Sequence, residues 1–122
     1  MAGMSSPADD VVKTNVRSYS FGVAGKSLNQ ARTNHWVIDS STNPEAVSTV
    51  ESFLSGVSAC GVTLIDGLAR SENVPLQRIE VNIEGVRKHS EPGRFQEVNM
   101  RFTLTGVSRE VAERLVGGYK ER

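Results

Sequence analysis

Between Pro44 and Arg70 the chain reads PEAVSTVESFLSGVSACGVTLIDGLAR, with no proline after the first residue. Val47, Val50, Leu54, Val57, Gly61, Leu64 and Leu68 recur at steps of three and four, the spacing of one helical face. Phe53, Ala59, Val62 and Ile65 add apolar bulk off that stripe, while Glu45, Glu51, Asp66 and Arg70 keep to the ends. A helix apolar almost all round is expected to be buried on most sides. Ahead of it, Thr42 or Asn43 is placed to cap the free amides. Pro44 suits a first turn, and Glu45 complements the positive end of the dipole, so the helix is expected to start at Pro44. Ser55, Gly56, Ser58, Ala59 and Gly61 are small, which costs helix propensity but lets another backbone or a ligand come close around Cys60.

Working upstream, Val11 to Val23 and Ser27 to Ile38 mix β-branched and aromatic residues with polar ones, and Gly25 punctuates them, which predicts one hairpin. Downstream, Ile79, Val81 and Ile83 alternate with Arg78, Glu80, Asn82 and Glu84, and Val98, Met100, Phe102 and Leu104 alternate in the same way. Period-two alternation on both sides of the polar 87–93 segment predicts a long antiparallel hairpin with one buried face. Ser108 is placed to cap a last helix through Val111, Leu115 and Tyr119, with Glu110 in its first turn. The expected order is ββ-α-ββ-α. Without regular βαβ alternation, this predicts an α+β fold, antiparallel hairpins around one long buried helix with a second helix at the C-terminus, rather than a doubly wound sheet.

At 122 residues the chain matches one domain, here 11–122, after a small, polar and acidic stretch, 1–10, expected to be a disordered leader. Fourteen basic and 14 acidic side chains cancel, so no electrostatic footprint for nucleic acid or an anionic membrane is expected. The start lacks the basic and apolar regions of a secretory signal, and no apolar run is expected to span a bilayer. The single cysteine cannot close an internal disulfide, which fits a reducing compartment and a cytoplasmic location.

No phosphate loop, dinucleotide fingerprint or Cys/His cluster at metal spacing occurs, so neither a cofactor nor a metal is expected. His35 falls in a strand and His89 in a hairpin loop, far apart in sequence, and both read as structural or solvated. Cys60 has two readings. Free cysteine is among the most buried residue types and packs as a small hydrophobe. A reactive thiol in mid-helix lacks the help of a helix N-terminus and needs a cation brought from elsewhere, for which Arg32, read on the strand before the helix, is the candidate.

The run Val50-Glu51-Ser52-Phe53-Leu54-Ser55-Gly56-Val57-Ser58-Ala59-Cys60 resembles the central helix of the OsmC/Ohr family. There an acidic residue, an apolar run and small residues lead into a reactive cysteine. The segments Arg32 to His35, Val37 to Asp39 and Ile79 to Gly85 extend the resemblance over roughly residues 14 to 122. It implies a thiol peroxidase fold, usually an intertwined homodimer with the cysteine helices at its centre. It also implies catalytic roles for three residues: Cys60 as the thiolate that attacks an organic hydroperoxide, Arg32 as its stabilising cation, and Glu51 at the family's acidic position. Glu51 lies nine residues before Cys60, about half a turn out of phase on an ideal helix, and reads equally well as a carboxylate favoured by the helix dipole. The family's peroxidatic members carry a second, resolving cysteine in the later helix, whereas this sequence has none up to Arg122, and the usual proline is missing from the lead-in Thr49-Val50-Glu51. An external thiol reductant is therefore expected. Phe53, Val57, Leu64, Trp36 and Met100 are the expected lining of an apolar pocket. The alternative function is a non-catalytic dimer of the same fold holding a small apolar ligand.

Overall fold

The computed structural model describes residues 10–120. Most of the expected leader lies outside that range. The elements are β1 (Arg17–Ser20), β2 (Ser27–Ala31), β3 (Asn34–Ile38), α1 (Thr49–Ser71), β4 (Arg78–Lys88), β5 (Glu91–Thr105) and α2 (Arg109–Lys120). The fold is α+β and antiparallel throughout its two sheets, as expected, and the chain divides after Thr49 into two compact units.

The first unit holds a three-stranded sheet in the order β1-β2-β3. The expected single strand over Ser27–Ile38 is in fact two strands, joined by a tight turn at Arg32 and Thr33 between the paired Ala31 and Asn34. Arg32 is therefore a turn residue rather than a strand residue, and its φ of 56° places it in the left-handed region. Glycine usually fills such a position, and its absence hid the turn. The turn is held by Asn34 Nδ2 donating to the Ala31 carbonyl (3.3 Å) and Gln30 Nε2 donating to the Arg32 carbonyl (3.4 Å). At the centre of the sheet Asn29 is buried with its hydrogen-bonding capacity used. It accepts from Ser18 Oγ (2.6 Å) and donates to the carbonyls of Trp36 and Ser27.

The long helix starts at Thr49, later than expected. Asp39, just beyond β3, takes the amides that a helix from Pro44 would have left free. Its carboxylate accepts from Glu45 N (2.8 Å), Ala46 N (3.3 Å) and Ser40 N (2.7 Å), and from Lys26 Nζ (3.0 Å), which also reaches Glu45 (2.9 Å). Backbone bonds from Asp39 N to the Val47 carbonyl and from Thr49 N to the Asp39 carbonyl close the loop. Ser48 and Glu51 then have the S-x-x-E spacing of a capping box, a second N-terminal signal weaker to the eye than Asn43-Pro44.

The second unit is built on the β4-β5 hairpin, which is longer than expected: only His89 and Ser90 separate the strands, and register shifts mark the tip near Arg87. Helix α1 ends in a Schellman arrangement. Asn73 is left-handed at φ 56°, Val74 N donates to the Ala69 carbonyl (2.8 Å) and Asn73 N to that of Arg70 (3.2 Å). Ser108 caps α2 as expected, its Oγ accepting from Val111 N at 3.2 Å. Ile65, Ala69 and Leu115 form the fully buried core, surrounded by Leu68, Val74, Leu76, Ile79, Phe102, Leu104 and Val111. Arg114 fixes α2 to the end of α1 through Glu72 (2.7 Å).

Candidate functional site

Helix α1 has two unlike faces. Leu54, Val57, Gly61, Ile65, Leu68 and Ala69 turn inward, and Gly61, Ile65 and Ala69 are buried outright. Phe53, Gly56, Cys60, Thr63 and Gly67 are exposed. Within the second unit, the hairpin and one short helix cover only one face of α1, so the expectation of a helix buried on most sides is met on that face alone. The expectation that no segment reaches membrane-spanning character fails. Over an 18-residue window α1 has a mean hydropathy of 1.4, long and apolar enough to cross a bilayer by length and composition. Here its inward face instead packs on protein, the β4-β5 hairpin and α2.

Cys60 stands in the middle of the exposed face with a free thiol. Its neighbours one turn away along the helix are Gly56, Val57, Thr63 and Leu64, of which Gly56 and Thr63 are exposed and Val57 and Leu64 half-buried, and a Cβ added at Gly56, or at Gly67 one turn further on, would meet nothing within 4 Å. The thiol is thus flanked by open space, and Thr63 Oγ1 turns back to the Cys60 carbonyl (3.2 Å). The next residue round the same turn, Gly61, faces inward and makes room for a cluster from β5 and α2. A Cβ there would lie 3.5 Å from Tyr119 Cζ, 3.6 Å from Phe102 Cε2 and 3.7 Å from Met100 Cε. Tyr119 and Phe102 pack ring to ring at 5.6 Å, and the Tyr119 hydroxyl points at Met100 Sδ (3.9 Å). Toward the start of α1, the exposed Phe53 stacks on Phe95 of β5 at 5.8 Å.

Arg32 belongs to the first unit, Glu51 and Cys60 to the second. Glu51 sits in the first turn of α1, exposed, on the side of the helix away from Cys60. Of the expected pocket residues, Phe53 is exposed, Val57 and Leu64 are half-buried on α1, Met100 packs beside Gly61, and Trp36 lies on β3 of the first unit at 38% exposure. A groove of about 670 Å³ runs between β5 and α2, with Phe102, Leu104, Val107, Ala112 and Val116 as its apolar lining; Cys60 does not border it. No group of acidic, histidine and cysteine side chains suited to a metal occurs among the described residues.

The architecture has three defining features: a βββ-α-ββ-α order with one strand more than expected, a long helix with the cysteine at its middle, and a capped C-terminal helix on an antiparallel hairpin. An OsmC-like protein from Mycoplasma pneumoniae superposes on it with a TM-score of 0.79 at 14% identity, over 91% of this chain and 82% of that one. The fold is that of the OsmC and Ohr proteins. An organic hydroperoxide resistance protein OsmC from Legionella pneumophila shares it at a TM-score of 0.71 and 17% identity, covering 91% of this chain and 84% of its own. The organic hydroperoxide resistance protein OhrB of Bacillus subtilis does so at 0.62 and 17%, covering 90% and 84%. No family model matches the sequence, and no curated protein matches it either. The OsmC-like reading made from the cysteine helix is thus upheld at the level of fold.

Proposed function

We propose that this OsmC-fold chain is a one-cysteine thiol peroxidase that reduces organic hydroperoxides with apolar tails in the cytoplasm. The carrying observation is Cys60 itself, an exposed thiol at the middle of the central helix, with Gly56, Val57, Thr63 and Leu64 one turn away, in a fold that organic hydroperoxide resistance proteins share. In the reaction the Cys60 thiolate attacks the terminal peroxide oxygen and the O–O bond breaks. The alkoxide leaves and takes up a proton to become the alcohol, and the sulfur becomes a sulfenic acid. An external dithiol attacks that sulfur, releasing water and forming a mixed disulfide, and its second thiol then frees Cys60 and closes the reductant's own disulfide. Arg32 is the proposed cation at the thiolate; Glu51 keeps the family's acidic position without facing Cys60 in the same chain.

The working unit is a homodimer in the same proposal. Phe53, Gly56, Cys60, Thr63 and Gly67 make an exposed apolar and small-residue face on a helix otherwise bound to protein, and a second copy of α1 fits such a face at close range. Consumption of an alkyl hydroperoxide with a dithiol, compared between wild type and Cys60→Ser, tests the chemistry. Dithiol-dependent turnover that vanishes in Cys60→Ser, with a sulfenic acid trapped by a cyclic dione in wild type, is the expected result. Identical consumption by both proteins and no trapped adduct would remove the peroxidase reading. The groove between β5 and α2, where Phe102, Leu104, Val107, Ala112 and Val116 are rimmed by Arg109, Glu113 and Lys120, would then be the place to look for the alternative, binding of a small apolar ligand without catalysis.

A further inference from the structure

A second sulfur lies on the far side of the cysteine turn, and the peroxidase chemistry leaves it unused. Met100 is half-buried on β5, its methyl group 3.7 Å from where a Cβ on Gly61 would sit and its Sδ 3.9 Å from the Tyr119 hydroxyl, which donates to it. A thioether is a soft two-electron nucleophile that hydroperoxides oxidise, and it is a weak hydrogen-bond acceptor. We propose that Met100 is a modification site, oxidised by hydroperoxides to the sulfoxide, whose oxygen the Tyr119 hydroxyl then holds. The Met100 sulfur lone pair takes the terminal oxygen, the O–O bond breaks, and the leaving alkoxide collects the proton of that oxygen. One hydroperoxide is thereby reduced to its alcohol, and one thioether becomes a sulfoxide.

Three observations give the modification a consequence. The sulfoxide oxygen is a far stronger acceptor than the thioether, and the donor it needs already points at the sulfur. Phe102 and Tyr119 pack ring to ring beside it, so the added oxygen must be accommodated between β5 and α2. The Met100 methyl group takes up part of the space that the missing side chain of Gly61, the residue after Cys60, leaves open, so a shift there reaches the cysteine turn. The oxidant is the one assigned to Cys60, but the sulfur is different, and the inference stands or falls without Cys60 turnover.

The test uses Cys60→Ser, treated with excess tert-butyl hydroperoxide while its near-ultraviolet circular dichroism is followed, then digested and read by peptide mass. Met4 of the same chain serves as the internal comparison. The expected result is one oxygen gained on Met100 in the folded protein, reversed by methionine sulfoxide reductases, with a tyrosine dichroism change that Met100→Leu abolishes. Met100 left reduced under conditions that oxidise Met4, or oxidised only after unfolding in urea, would overturn the proposal. A Met100 oxidation that leaves the tyrosine signal unchanged would overturn the role given to Tyr119.

Discussion

Two residues show how close the packing is and how much a single atom decides. Gly85 of β4 faces Phe95 across the hairpin, and a Cβ placed there would sit 2.5 Å from the Phe95 ring and 3.3 Å from Leu54 Cδ1. Gly85→Ala is therefore expected to push Phe95 off its stack on Phe53 and to destabilise the chain by about 1–3 kcal/mol, measured as a fall in the urea midpoint without a change in slope. Arg32 is the opposite case, since its strain and its proposed chemistry separate. A left-handed backbone costs a non-glycine residue about 1 kcal/mol or more. Arg32→Gly should leave thermal stability unchanged or slightly raised while lowering hydroperoxide turnover; full turnover in a stable Arg32→Gly protein would take the cation role away from Arg32. The turn itself was invisible in the sequence because Ala31-Arg32-Thr33-Asn34 contains no glycine, so the strand assignment of Arg32 could not have been avoided from pattern alone.

At the scale of elements, the loop before α1 carries the clearest electrostatic signature. Three backbone amides, led by that of Glu45, and the Lys26 ammonium hold the Asp39 carboxyl well below the usual carboxylate range, and Lys26 is raised in turn by its bonds to Glu45 and Asp39. Because the folded state prefers the ionised carboxylate, the stabilisation is fully present above the ordinary carboxylate value near about 4 and is lost as the pH falls below it. Asp39→Asn should lower the melting temperature at pH 7 and shrink the difference between pH 7 and pH 3, read by thermal unfolding at both. If the mutant keeps the wild-type acid sensitivity, Asp39 is not its source. The same loop explains which elements could be read in advance. Helix α1, the β4-β5 hairpin and α2 advertise themselves through regular apolar spacing, and Ser108 caps where its spacing places it. The start of α1 was misread because Asn43-Pro44-Glu45 imitates a helix entry, while the group that captures those amides, Asp39, acts from several residues upstream. Spacing could place Cys60 on a helix, but not decide that its face would be exposed, because burial depends on what the rest of the chain can cover.

For the whole molecule, the exposed face of α1 bears on assembly. Sedimentation equilibrium at micromolar concentration should give twice the chain mass, and the melting temperature should rise with protein concentration. Gly56→Glu is the sharp test. It improves helix propensity by up to about 1 kcal/mol and its Cβ meets nothing within 4 Å, yet it sets a charged side chain on the face assigned to the second copy. A stably folded monomer is the expected outcome, and an undisturbed dimer would move the interface elsewhere. Cys60 lies on that same face, as the sole thiol of the chain on a regular helix. That makes the native protein its own footprinting reagent. The rate at which a maleimide labels it, followed across a dilution series, would report how much of the helix face is covered, with no cysteine to be added or removed.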